Sequence, residues 1–211
     1  MTQLPVQMRG ASAEATVLVV DDDADFRDSL ADLLSSVGLN VKPFGSIADL
    51  LESKLPDVVS CIVLDVRLPR LSGLDFQAEL AKTNSSIPII LMTGYGDVPM
   101  SVKAMKLGAV DFLTKPFRDQ DLLDAVTVAL ERDRKRREAD RQLAELKSRL
   151  DNLTPREREV MTLVVTGLMN KQIAARLGIG EATVKFHRGR MMEKLGARSV
   201  ADLVKMAERV E

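Results

Sequence analysis

A single cysteine, Cys61, stands among the 211 residues, so no disulfide can form within the chain and no case for a zinc or redox site arises. It lies inside an apolar run, where a thiol is buried and inert. Long hydrophobic runs are also missing: none approaches the roughly 18 residues that a membrane span requires. Residues 1–15 lack the basic-then-apolar order of a secretory signal and are expected to be a disordered lead-in, which makes a cytoplasmic protein with no membrane partner the expectation. Net charge is nearly absent, at −1 overall, but that figure is a cancellation. Residues 16–127 carry −7, residues 128–151 carry +2 and residues 152–211 carry +4. Two domains with different partners fit this asymmetry: the acidic part suits cations or basic partners, the basic part a polyanion.

What the chain does have is a set of short apolar runs that stop at acids. Cys61-Ile62-Val63-Leu64 runs straight into Asp65, with Pro69 close behind; Thr16–Val20 runs into Asp21-Asp22-Asp23. Unalternated runs of this length suit central parallel strands covered on both faces. Further strands are expected at Asn40–Phe44, Ile87–Met92 and Asp111–Thr114. Helical patterns lie between them, at about 25–36, 46–52, 73–82 and 98–107. Phe26, Leu30, Leu33, Leu34 and Val37 recur at helical spacing and Gly38 stops the first of these helices. Five strands interleaved with helices give an open, five-stranded, parallel α/β sheet.

In such sheets ligands gather beyond the carboxyl ends of strands. Asp21, Asp22 and Asp65 there supply oxygen ligands for a hard dication, Mg²⁺ or Mn²⁺. Thr93 adds a hydroxyl and Lys115 a point positive charge suited to a phosphoryl oxygen. Any one of these residues alone is ordinary in a solvated loop; their recurrence at successive strand ends is not. Asp23 fits a helix N-terminal acid favoured by the dipole at least as well as a metal ligand.

Val-Val-Asp-Asp-Asp at 19–23, Leu-Asp-Val-Arg-Leu-Pro-Arg-Leu-Ser-Gly at 64–73, Met-Thr-Gly-Tyr-Gly-Asp at 92–97 and Phe-Leu-Thr-Lys-Pro-Phe at 112–117 resemble the receiver domain of two-component response regulators. The resemblance covers residues 16–128 and implies a doubly wound, flavodoxin-like five-stranded fold. It implies that Asp65 accepts a phosphoryl group from the histidine of a sensor kinase, and that Asp21, Asp22, Asp65 and the backbone carbonyl of Arg67 hold the metal. Thr93 and Lys115 would bind the phosphoryl oxygens and Phe112 would swing inward. Val102 and Lys106, four apart on one helical face, would form the dimer surface of the phosphorylated state. Arg67 and Tyr95 are expected to tune the lifetime of that state.

Residues 129–152 read as a helical linker. Ala139, Leu143, Leu146, Leu150 and Leu153 form a short heptad seam, either packing on the chain's own domains or meeting a partner helix. Thr154-Pro155-Arg156-Glu157 then carries a helix N-cap, a first-turn proline and a capping box. Four helices are expected beyond it, at 155–166, 170–177, 181–195 and 199–209, with helix-turn-helix spacing around Ala174 and Gly178. On a wheel of 100° per residue, Val184, His187, Met191 and Leu195 of the third helix point inward; Lys185, Phe186, Gly189 and Arg190 point away. A basic outward face with an exposed aromatic suits the major groove of double-stranded DNA.

Residues 153–161, 167–174, 182–188 and 194–199 (Leu-Thr-Pro-Arg-Glu-Arg-Glu-Val-Met, Gly-Leu-Met-Asn-Lys-Gln-Ile-Ala, Ala-Thr-Val-Lys-Phe-His-Arg, Lys-Leu-Gly-Ala-Arg-Ser) resemble the LuxR/FixJ-type DNA-binding domain. The small all-α domain at 153–211 would place Asn170, Lys171 and Thr183 on phosphates and Lys185 on bases, with Phe186 and Arg190 on the same outward face. Gly180 and Gly189 depart from the pattern, the first where a side-chain cap is usual and the second where a longer side chain reaches the bases. Together the two resemblances imply a phosphorylation-activated transcription regulator of the LuxR/FixJ type rather than an enzyme. Its partners would be a sensor histidine kinase, DNA, RNA polymerase and a second copy of itself. The alternatives are a Mg²⁺-dependent aspartyl phosphatase with its nucleophile at Asp21, and a receiver acting through RNA or protein binding.

Overall fold

The computed structural model describes residues 15–82 and 87–210; the lead-in expected at 1–15 lies outside these except for Ala15, which is buried. The chain divides into two compact units, Met1–Arg137 and Glu138–Glu211.

In the first unit the elements alternate: β1 (Thr16–Val20), α1 (Ala24–Ser36), β2 (Asn40–Phe44), α2 (Ile47–Glu52), β3 (Ser60–Asp65), α3 (Gly73–Lys82), β4 (Ile89–Thr93), α4 (Val98–Lys106), β5 (Asp111–Thr114) and the start of α5 (Asp119–Asp151). The strands form one parallel sheet in the order β2-β1-β3-β4-β5. Every residue of β1, β3 and β4 is buried, as unalternated apolar runs require, while the edge strands β2 and β5 are partly exposed. Two apolar clusters cover the two faces. One joins Val17, Val19, Cys61, Val63, Ile90 and Met92 to α1 and α5; the other joins Leu18, Val20, Ile62, Leu64 and Leu91 to α2, α3 and α4.

β4 starts two residues later than the apolar run at Ile87. Pro88 has no N–H to give a ladder, so only its carbonyl takes part, accepting from the Ile62 amide at 2.9 Å. Gly73 opens α3 beneath the end of β3, where a β-carbon would come within 2.5 Å of the Asp65 carbonyl oxygen. Only glycine allows that approach.

The charge-dense start of the linker is not simply solvated. Asp133 of α5 is fully buried. It accepts the amide N–H of Ser60 at 2.9 Å, and guanidinium bonds from Arg136 at 2.7 Å and Arg137 at 2.8 Å. Arg137 continues to the Asp57 carboxylate at 3.1 Å and the Pro56 carbonyl at 3.3 Å. The first N–H of a central strand points past the sheet and needs an acceptor; Asp133 provides it from the helix lying over β3. Burial, with the Asp133 charge nearby, pushes the Cys61 thiol well above its ordinary pKa, in keeping with an inert cysteine.

The second unit holds the last turns of α5 with α6 (Pro155–Val165), α7 (Asn170–Leu177), α8 (Glu181–Leu195) and α9 (Val200–Glu208). Its core is built from Leu153, Val160, Val164, Ile173, Val184, Met191, Leu195 and Leu203. Thr154 and Glu157 close the expected capping box on α6. The Glu157 carboxylate also accepts from Lys194 Nζ at 2.6 Å, which with the Thr154 bonds holds it below the usual carboxylate range. Gly178 turns the chain from α7 to α8 at φ +65°, a left-handed conformation that glycine adopts without strain. Of the heptad seam, Leu146 is buried, Leu153 lies in the core and Leu150 packs against it. Leu150 and Leu153 thus pack within the second unit, while Ala139 is exposed and Leu143 half-buried.

Removing the Asp133 carboxylate strands a buried amide beside two guanidinium groups. Asp133→Ala should therefore destabilise the first unit by about 1–3 kcal/mol. Hydrogen exchange checks this directly: the Ser60 amide should lose most of its protection, and full retention would show that another acceptor serves it.

Candidate phosphoacceptor site and nucleic-acid interface

β1 and β3 are neighbours, but the chain reaches β3 only after passing through β2 on the other side of β1. The strand order reverses there, and a crevice opens at the carboxyl ends of the two strands. Val20 pairs with Leu64 in register, so Asp21 and Asp65 leave the sheet side by side. Asp21, Asp22 and Asp65 offer oxygens that all lie within 4.8 Å of one another. Oxygen donors this close, two of them on nearly buried residues, fit a small hard dication.

Lys115, at the end of β5, joins the group from the opposite side. Its Nζ donates at 2.6 Å to Asp21 Oδ2 and at 2.6 Å to Asp65 Oδ2, and stands 4.1 Å from the centre of the Phe26 ring. Burial works against its charge, but hydrogen bonds to the two carboxylates hold its pKa above the ordinary value, so it is an ammonium. Burial pushes Asp21 up, with Lys115 opposing. The two acids are not equivalent. Asp21 is 1% exposed, with Oδ1 accepting the Asp23 amide and Oδ2 taken by Lys115. Asp65 is 7% exposed, with Oδ1 accepting the Arg67 amide at 2.8 Å. Asp22 is exposed. Asp23 caps α1 by accepting the Phe26 amide at 3.1 Å, the structural role weighed for it from sequence.

Thr93 is buried at the end of β4, and its Oγ1 accepts the Tyr95 amide at 3.2 Å. Phe112 is half-buried against the cluster under α4. Gly96 lies so close that a β-carbon there would stand 3.0 Å from the Phe112 ring and 3.2 Å from Thr93 Cγ2. The Arg67 guanidinium stacks 4.6 Å from the Tyr95 ring centre. Val102 and Lys106 are both exposed on α4, with Val98 and Met105 exposed on the same helix.

In the second unit α8 packs on α6 and α7 through Val184, Met191 and Leu195, with His187 half-buried; Thr183, Lys185, Phe186 and Arg190 are exposed. Lys185 lies 3.4 Å from Glu181, an exposed pair that costs little to exchange for another partner. Lys171 is exposed at the start of α7. The Asn170 side-chain oxygen accepts from Arg188 Nη1 at 2.9 Å. Arg188 was not among the residues singled out from sequence. It lies 40° from Val184 on the wheel, among residues read as inward, and only the approach of α7 shows what it meets.

Compared with known proteins, residues 17–127 match the family described as "Response regulator receiver domain", and residues 151–207 match "Bacterial regulatory proteins, luxR family". The chain belongs to the LuxR-type response regulators. It is 63% identical to "Nodulation protein W" of Bradyrhizobium diazoefficiens, over 94% of this chain and 87% of that protein. With "Transcriptional regulatory protein FixJ" of Azorhizobium caulinodans the identity is 44%, over 90% of each chain. Among solved structures, response regulator StyR superposes with a TM-score of 0.82 at 46% identity, covering 93% of this chain and all of the other. Full-length FixJ from B. japonicum gives 0.57 at 38% identity, over 94% and 98%.

The regulator is therefore activated by phosphorylation, takes its phosphoryl group from a histidine kinase and binds DNA to control transcription. Its second domain is a DNA-binding domain of the luxR family type. No helix among the described residues is long and apolar enough to cross a membrane.

With α8 in the major groove, Lys185 and Lys171 should behave differently, since base contacts specify and phosphate contacts position. Lys185→Ala should cost about 1–3 kcal/mol at one base position and relax preference there. Lys171→Ala should weaken all sequences alike and lower the salt slope by about 1. Titrations of both variants on a panel of duplexes at several salt concentrations separate the two behaviours.

Proposed function

We propose that Asp65 is the phosphoacceptor, and the observation that carries this is Lys115 Nζ at 2.6 Å from both Asp65 and Asp21. One ammonium holds the two acids at the crevice, and of the two Asp65 is the more open. In the transfer an Asp65 oxygen bonds to phosphorus as the bond from phosphorus to the kinase imidazole breaks, and the imidazole nitrogen keeps the electron pair. A carboxylate approaching an anionic phosphoryl group is opposed by charge, so positive groups must be in place beforehand. Mg²⁺ or Mn²⁺, held by Asp21, Asp22, Asp65 and the backbone carbonyl of Arg67, supplies part of that charge when bound. Lys115 supplies the rest, exchanging a carboxylate contact for a phosphoryl oxygen. Thr93 offers its hydroxyl to a second phosphoryl oxygen, giving up the Tyr95 amide, and Phe112 moves inward behind it. Arg67 and Tyr95, stacked beside the site, set how fast the aspartyl phosphate is hydrolysed. A phosphatase with Asp21 as nucleophile fits less well, because Asp21 is the more deeply buried of the two acids.

The functional division is a receiver over 16–128, a linker over 129–152 and a DNA-binding domain over 153–211, all acting in the cytoplasm. α8 enters the major groove, with Lys185, Phe186 and Arg190 facing bases and Asn170, Lys171 and Thr183 facing phosphates. Phosphorylation adds about −1.5 to −2 charge at Asp65 and repacks α4, whose exposed Val102 and Lys106 form the surface on which two copies pair. Packing of Leu150 and Leu153 in the core of the second unit favours α4 over the linker as the dimeriser. Pairing brings two α8 helices to half-sites about 34 Å apart, and raises affinity by effective concentration. The DNA-bound dimer then acts on RNA polymerase.

Two experiments test this. With Mg²⁺ and a small phosphodonor, the protein should gain about one acid-labile phosphate per chain and Asp65→Asn none; equal labelling would move the acceptor elsewhere. Val102→Asp should label normally yet sediment as a monomer, whereas the labelled parent protein sediments as a dimer. A stable dimer in the absence of phosphorylation would assign dimerisation to another surface.

A further inference from the structure

Of the six phenylalanines in the chain, five are packed. Phe26 and Phe117 lie against one face of the sheet, and Phe44, Phe76 and Phe112 against the other. Phe186 alone is exposed, at 59%, and it sits in the middle of the outward face of α8. Its neighbours do not cover it. The His187 ring meets it edge-on at 5.5 Å between centres, and the Arg190 guanidinium stands 5.8 Å from its centre. Three residues further along, on the adjacent turn, is Gly189, where a β-carbon would meet nothing within 4 Å. The helix therefore presents an uncovered aromatic ring beside an empty step, with Lys185 and Arg190 on its flanks.

A fully exposed basic face gains nothing from an aromatic ring, which pays for its exposure in water and contributes no charge to phosphate binding. In the major groove such a ring has a specific use. Thymine is the one standard base that carries an apolar group on that edge, the C5 methyl, and a phenylalanine ring is one of the side chains that meets it. The missing side chain at Gly189 leaves room for the methyl to reach the flank of the ring, while Lys185 can exchange its Glu181 partner for a polar base edge. A longer residue at position 189 would fill that step.

We infer that Phe186 is a specificity-determining residue that reads the C5 methyl of a thymine in each half-site, received in the step left open by Gly189. The inference rests on the reading that α8 enters the major groove, and it deepens that reading by naming the chemical group recognised. The expected discrimination is modest: burying one methyl-sized group is worth about a fourfold change in affinity at 25 °C.

The test uses the full-length, phosphorylated protein. Duplexes are first selected from a random library, and each thymine of the selected site is then replaced singly by deoxyuridine, which removes the methyl and leaves every hydrogen-bonding group in place. At one position per half-site the unaltered protein should bind the thymine duplex about fourfold more tightly than the deoxyuridine one. Phe186→Ala should bind the two equally, and Phe186→Leu should keep part of the preference. Equal binding of thymine and deoxyuridine by the unaltered protein at every position overturns the inference, as does a preference that survives in Phe186→Ala. If selection recovers a specific site but that site is indifferent to deoxyuridine, the groove reading stands and the methyl reading falls. If no specific site is recovered, both fall together.

Discussion

The ammonium of Lys115 is the contact on which the first unit's chemistry depends. Two carboxylates that leave neighbouring strands at the same level repel each other unless a cation lies between them, and Lys115 Nζ bonds both at 2.6 Å. It reaches them from the end of β5, on the far side of β4, which means that β1, β3, β4 and β5 must be assembled before the site exists. Charge balance at the crevice and closure of the sheet are thus one event. The same contact makes the site responsive: a group whose charge is shared between two acids is easily recruited by a third anion that offers several oxygens.

β3 is fixed at both ends by charge, which bears on how a signal could leave the site. Asp65 ends it at the crevice, and at its beginning the Ser60 amide is held by Asp133 of α5. The Asp133 cluster with Arg136, Arg137 and Asp57 ties the opening of the linker to the receiver. Because a buried carboxylate with every lone pair engaged is costly to move, this end of α5 is a fixed point.

The second unit shows a division of labour along one helix. Val184, Met191 and Leu195 fasten α8 to its supports, and the turns between them carry the residues that face outward. Arg188 belongs to neither group. Its bond to Asn170 links α8 to the start of α7, so the two helices are positioned together.

Much of this was legible in the residues. Unalternated runs ending at Asp21, Asp65 and Thr93 define buried parallel strands, because only a strand covered on both faces is apolar throughout, and the wheel of α8 sorts its inward and outward sides because a 100° step is a property of the helix alone. Local rules suffice where an interaction lies within one element or its cap, as with Asp23 on α1 or the Thr154–Glu157 box. They fail where an atom's partner comes from a distant part of the chain. Nothing near Asp133 in sequence marks it as buried, since a run dense in both charges reads as a solvated face; its acceptor role arises only when α5 is laid against the first amide of β3, 73 residues away. Arg188 was hidden for the same reason. The sequence by itself determined which residue types stand at the strand ends and on the helix faces, because periodicity and capping act over a few residues. Only the tertiary structure decided which charges neutralise one another, because Coulomb and hydrogen-bond partners are chosen by proximity in space, and here that proximity is set by a strand order that differs from chain order.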